Sequence, residues 1–195
     1  MARSGKRAAK PSTLRIIGGQ WRGRKLSFLP AEGLRPTTDR VRETLFNWLA
    51  PDIYQARCLD LFAGSGALGL EALSRGAASC DFVDTSAAAL RQIAAHLETL
   101  GAGSLGSCHQ TPALSFLQGA LEPYDILFID PPFGQFLVNP SCEQLANPGP
   151  VAPGGLVYIE TAATEDPPRT PTNWSLHRDK VAGGVAYRLY RNNQT

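Results

Sequence analysis

The 195-residue chain lacks any apolar run approaching the ~20 residues needed to cross a bilayer, so no membrane-spanning helix is expected. Its basic N-terminus is not followed by an apolar stretch of the kind a secretory signal carries, so none is expected. Cysteine is sparse: Cys58, Cys80, Cys108 and Cys142 lie far apart, with no CxxC pair. That spacing disfavours zinc and disulfides and favours buried, reduced thiols, which together point to a cytoplasmic protein. His96, His109 and His177 fall at no spacing suited to a metal or a triad, and no cysteine is placed as an evident nucleophile, so no metal is expected. Internal repeats and a second globular unit are also missing. Acids are absent from residues 1–30, which hold eight basic groups: Arg3, Lys6, Arg7, Lys10, Arg15, Arg22, Arg24 and Lys25. The rest of the chain carries the other 11 basic groups and all 17 acids, a net of −6. A basic arm on a mildly acidic body suits a polyanionic partner that meets the arm first, although a solvated tail would look the same over residues 1–12.

What is present suits one α/β domain with a sizeable core and an arm, since 43% of the residues are hydrophobic. The chain divides into a disordered basic tail (1–12), an N-terminal hairpin and helix (13–51) and a main α/β domain (52–195). Between Leu14 and Leu29, Gly18-Gly19 and Gly23 signal the turns of a short β-hairpin. Trp21 sits there among Arg22, Arg24 and Lys25. Cations around an indole suit RNA through phosphate contact and base stacking, and the alternative is that Trp21 packs the hairpin onto the domain. A helix follows, capped by Thr37 or Thr38, with Val41, Leu45, Trp48 and Leu49 as its apolar stripe, and it ends at Pro51. Arg40, Arg42 and Glu43 fall off that stripe, available to solvent or to a site.

From Cys58 the pattern alternates. Strands are expected at Cys58–Phe62, Cys80–Asp84, weakly at Leu105–His109, at Ile126–Ile129 and at Leu156–Glu160. Helices are expected at Gly64–Arg75, at Ser86–Leu100 and from Pro112, the last with Leu114, Leu117 and Leu121 on one face. A stretch broken by proline and glycine precedes the fifth strand. This order argues for a doubly wound, mostly parallel sheet. Trp174–Lys180 and Val185–Arg191, flanking Gly183-Gly184, read as an antiparallel hairpin joined to it.

Gly64-Ser65-Gly66-Ala67-Leu68-Gly69 fits GxGxxG between a strand and a helix, where glycines let backbone N–H groups approach a ligand. A dinucleotide, S-adenosylmethionine or a plain tight turn would each fit that motif. Asp84, 20 residues after Gly64, can accept from ribose hydroxyls. Asp60, just before the turn, suits a ligand bearing an ammonium group better than one bearing a pyrophosphate. Asp130-Pro131-Pro132-Phe133 ends the fourth parallel strand, on the sheet edge where such folds bind ligands. The Asp130 carboxylate and Pro131 carbonyl can accept two N–H bonds from an exocyclic amine, neither proline nitrogen can donate, and Phe133 offers a stacking face. This arrangement suits methylation of a nucleobase amine by positioning and electrostatics, without a metal, on a base that is unpaired or flipped out. Other readings are a DNA or RNA adenine-N6 methyltransferase, a nicotinamide-dependent oxidoreductase and a non-catalytic RNA-binding module.

Several blocks resemble the RsmD family: Arg15–Gly19 with Trp21–Arg24, Gly33–Leu49, Leu59–Gly69, Asp130–Phe133 and Val181–Tyr190. The resemblance implies a class I S-adenosylmethionine-dependent methyltransferase with a Rossmann-like sheet. It implies methylation of N2 of one guanine, position 966, of 16S rRNA in the small (30S) ribosomal subunit or an assembly intermediate. A monomer is expected, with no membrane partner. Residue by residue, it implies an amine pocket of Asp130, Pro131, Pro132 and Phe133. It implies a cofactor site of Asp60, Phe62, Gly64, Ser65, Gly66, Asp84, Thr85, Thr37 and Arg42, and RNA contacts from Arg15, Trp21, Arg22, Arg24, Lys25 and Arg35. The chain departs from the family pattern in having Asp84 rather than Glu, Ser86 rather than Asp, and Pro112 where an acid or amide is expected. Adenine recognition would then fall to backbone or to Gln110.

Overall fold

The computed structural model describes residues 12–28, 37–119, 121–146 and 149–194. Residues 1–11 of the expected tail, and Arg35, lie outside the described residues; Ser12, assigned to that tail, instead opens a strand.

β1 (Ser12–Arg15) and β2 (Lys25–Phe28) form a small antiparallel sheet. α1 (Asp39–Leu49) follows, with Thr38 as its cap: the Val41 N–H donates to the Thr38 hydroxyl. Then come β3 (Arg57–Asp60), α2 (Ala67–Ser74), β4 (Ser79–Asp84), α3 (Ala87–Thr99) and β5 (Gly106–Gln110). The remainder is α4 (Ala113–Leu117), β6 (Tyr124–Ile129), α5 (Val138–Gln144), β7 (Val151–Ala162), β8 (Trp174–Ala182) and β9 (Val185–Asn192). The main sheet has the order β5-β4-β3-β6-β7-β9-β8. β5 to β7 are parallel neighbours in that order, while β9 runs antiparallel between β7 and β8. This is the expected Rossmann-like, mostly parallel sheet with a C-terminal antiparallel hairpin. The strand order reverses between β3 and β6, whose C-terminal ends therefore open the crevice that such sheets use for ligands.

Alternation along the strands builds a core on each face. Cys58, Cys80, Phe82, Ile126, Phe128 and Tyr158 meet α1, α2, α3 and the β1–β2 hairpin. Leu59, Val83, Leu127, Ile129, Val157 and Ile159 meet α4 and α5. No helix among the described residues is long and apolar enough to cross a membrane.

Three local expectations change. α4 is only Ala113–Leu117, so Leu121 lies beyond it. The stretch before the fifth parallel strand contains α5, which tolerates Pro140 because it sits in the first turn, where a backbone N–H has no helical partner. β7 begins at Val151 rather than Leu156, passing an irregularity between the Tyr124 and Ile126 pairings.

Candidate active site

The C-terminal ends of β3, β4, β6 and β7 enclose a crevice of about 600 Å³. Its floor is the turn into α2. Gly64 (φ +51°) and Gly66 (φ +77°) take left-handed conformations that disfavour a side chain. A Cβ on Gly66 would also lie 2.9 Å from Ile93. The Gly64 N–H donates to Asp84 Oδ2 at 2.8 Å, and the Ser86 N–H donates to Oδ1 at 2.7 Å. Asp84 therefore ties the end of β4 to the glycine turn. Ser86, where the family pattern has an acid, caps α3 by accepting from the Ala89 N–H.

Asp60 is buried, and its Oδ2 accepts the Gly69 N–H at 3.0 Å. Burial raises its pKa from 3.8 to about 7; the Gly69 bond opposes that rise and the charge of Asp84 adds to it. Asp130 accepts from the Thr37 hydroxyl at 2.9 Å, which ties the segment before α1 to the amine loop. Burial first, then the charge of Glu160, push the Asp130 carboxyl well above its ordinary range; the Thr37 bond offsets part of this and Asp60 adds a little. Pro131 is buried, while Phe133 is 38% exposed and lines the crevice, leaving a ring face for a ligand.

The structure brings Asp60, Phe62, Gly64, Ser65, Asp84, Thr85, Thr37 and the whole Asp130–Phe133 loop to one crevice. Gly66 stands directly behind it as the cap of α2. Arg42 is placed elsewhere. It is 1% exposed, donating to the Arg15 carbonyl at 2.9 Å and to Asp39 at 2.6 Å, with Glu71 3.5 Å away. The reason was visible in the spacing: Arg42 stands three, four and seven residues before Leu45, Phe46 and Leu49, on the buried face and not off it. Trp21 is 9% exposed and part of the core, so the packing alternative describes its position. Arg15, Arg22, Arg24 and Lys25 are exposed on the hairpin. Gln110 is exposed and outside the crevice wall, which Thr111, Pro112, Ala113 and Leu114 form instead. Of the charged wall residues, Arg40 at the start of α1 had been left to solvent or to a site, and Glu160 on β7 had been given no role.

The model of a family described as conserved hypothetical protein 95 matches residues 14–191. An Escherichia coli protein named ribosomal RNA small subunit methyltransferase D is 53% identical over 178 residues, covering 91% of this chain and 89% of the relative. The chain belongs to the RsmD family of methyltransferases. Two solved structures bear out the RsmD fold. One, from Escherichia coli and assigned as a methyltransferase, has a TM-score of 0.86 at 50% identity, covering 94% of this chain and 100% of its own. The other, from Haemophilus influenzae and assigned as a methylase, has a TM-score of 0.79 at 41% identity with the same coverage of both chains.

Proposed function

We propose that this protein is a cytoplasmic, monomeric enzyme that moves a methyl group from S-adenosylmethionine to N2 of one guanine, position 966, of 16S rRNA in the small ribosomal subunit. The observation that carries the reading is that the amine-holding loop and the glycine turn line a single crevice. The name of the Escherichia coli relative supports ribosomal RNA as the substrate class. The crevice fits the cofactor: buried Asp60 suits an ammonium, and the Asp84 carboxylate keeps lone pairs for ribose hydroxyls beyond those used by Gly64 and Ser86. Three carboxylates beside the turn, Asp60, Asp84 and Asp130, disfavour the pyrophosphate of a nicotinamide dinucleotide.

The bound cofactor supplies a methyl group on a positively charged sulfur. Asp130 and the Pro131 carbonyl hold the two N2 protons, favouring a more tetrahedral nitrogen, and Phe133 stacks on the base. Thr37 fixes the Asp130 carboxylate through its hydroxyl. As the new N–C bond forms, the N2 proton held by the ionised Asp130 carboxylate passes to it and on to solvent. Asp130→Ala is expected to lower transfer of tritiated methyl to unmethylated small subunits by at least about 10²-fold. S-adenosylhomocysteine binding should change little. Retained turnover in that variant would refute the assignment.

A further inference from the structure

β6 and β7 are parallel and in register, with Phe128 opposite Tyr158 and Ile129 opposite Ile159. Asp130 directly follows β6 and Glu160 is the next residue of β7, so both side chains leave the sheet edge on the same face, from strands about 5 Å apart. Glu160 is 5% exposed, lies in the crevice wall beside Pro131, Pro132 and Phe133, and is near enough for its charge to act on Asp130. The Tyr158 hydroxyl donates to its Oε2 at 2.8 Å and so fixes its direction. The transfer step outlined above uses Asp130 and leaves Glu160 without a task.

An ionised carboxylate only accepts, with about four lone-pair positions, so a second one beside Asp130 makes, when both are ionised, an edge that reads donors. Guanine presents two adjacent donors along its Watson–Crick edge, N1–H and the N2 amine. Adenine presents a donor amine beside N1, which is an acceptor. Two neighbouring carboxylates match the first edge, and set a lone pair against a lone pair on the second.

We propose that Glu160 selects guanine by accepting the N1–H hydrogen bond while Asp130 holds the N2 amine. This rests on the reading of the crevice as a guanine-N2 site. The test uses small subunits reconstituted with 16S rRNA ligated to carry either guanine or 2-aminopurine at the methylated position. 2-Aminopurine keeps the N2 amine but has an acceptor at N1. The wild-type protein is expected to prefer guanine by about 10²-fold or more in kcat/KM, because a site built for an N–H rejects its absence strongly. Glu160→Gln keeps an oxygen for Tyr158 and adds a donor. It is expected to shrink that preference at least about tenfold, with Tm and S-adenosylhomocysteine binding unchanged. Glu160→Asp, which keeps the carboxylate, should turn over more slowly yet retain the preference. An unchanged guanine to 2-aminopurine ratio in an active Glu160→Gln enzyme overturns the role of Glu160 alone, as does loss of the preference in Glu160→Asp. A wild-type enzyme that labels no guanine removes the underlying reading and this inference with it.

Discussion

Asp60 is a buried acid beside the glycine turn, where the proposed function puts the ammonium of the cofactor, and its proton equilibrium makes that reading measurable. Its folded pKa, about 7, lies above its ordinary 3.8, so the folded protein holds an extra proton between those values. The group's contribution to stability is therefore complete below about pH 4 and is lost as pH rises through about 7. Asp60→Asn, which still offers an oxygen to the Gly69 N–H, is expected to melt higher than wild type at pH 8, with the gap closing toward pH 5. Cofactor affinity runs the other way, because the ionised carboxylate is the form that holds an ammonium. Binding of S-adenosylhomocysteine is expected to tighten up to about tenfold from pH 6 to pH 8, and to lose that dependence in Asp60→Asn, as calorimetry would show. Residues in local motifs, such as Asp60, Gly64 and Asp130, were legible because turn chemistry and strand position fixed their surroundings. Glu160 was not, because its place depends on the register of β7 against β6. Trp21 was ambiguous because an indole among cations suits either a core or a surface.

At the scale of elements, the segment joining β1 to β2 is docked on α2 by Ser74 and by one buried carboxylate. Glu71, fully buried on α2, accepts the Ile17 N–H at 2.9 Å, the Gly18 N–H at 2.8 Å and Arg75 Nε at 2.8 Å, and Arg42 lies 3.5 Å away. Gly19 permits the approach: a Cβ there would lie 1.9 Å from the Ser74 carbonyl oxygen. Glu71→Ala takes one of two carboxylates from buried Arg42, which keeps Asp39 and the Arg15 carbonyl, and leaves the Ile17 and Gly18 N–H groups without that acceptor. Its expected cost is about 3–5 kcal/mol in urea unfolding, larger than for truncating an exposed ion pair. The glycines were legible as a turn but not as a docking contact, since nothing in the local pattern of residues 15–24 refers to α2. The βα alternation was readable because each apolar run is punctuated by glycine, proline or a capping residue. α5 was hidden because Pro140 resembles a break until its first-turn position is known.

Across the whole molecule, the parallel order could be argued from alternation alone. The insertion of β9 between β7 and β8 could not, because hairpin pairing says nothing about which of its strands meets the sheet. Charge is divided at this scale too. Exposed cations lie on the hairpin, and acids line the crevice. Replacing Arg22, Arg24 and Lys25 together with Ala is expected to weaken RNA binding. The slope of log affinity against log salt should fall by about one for each phosphate that is no longer neutralised. Cofactor affinity should be unchanged. Filter binding across a salt series would check both.

In the proposed function, one crevice joins a methyl donor to the N2 amine of a guanine. Mass spectrometry of nucleosides from small-subunit RNA, incubated with S-adenosylmethionine with and without the protein, tests it most directly. One N2-methylguanosine per 16S rRNA is expected, appearing only with active protein. N6-methyladenosine in its place, or no methylated nucleoside from protein that binds the cofactor, would contradict it.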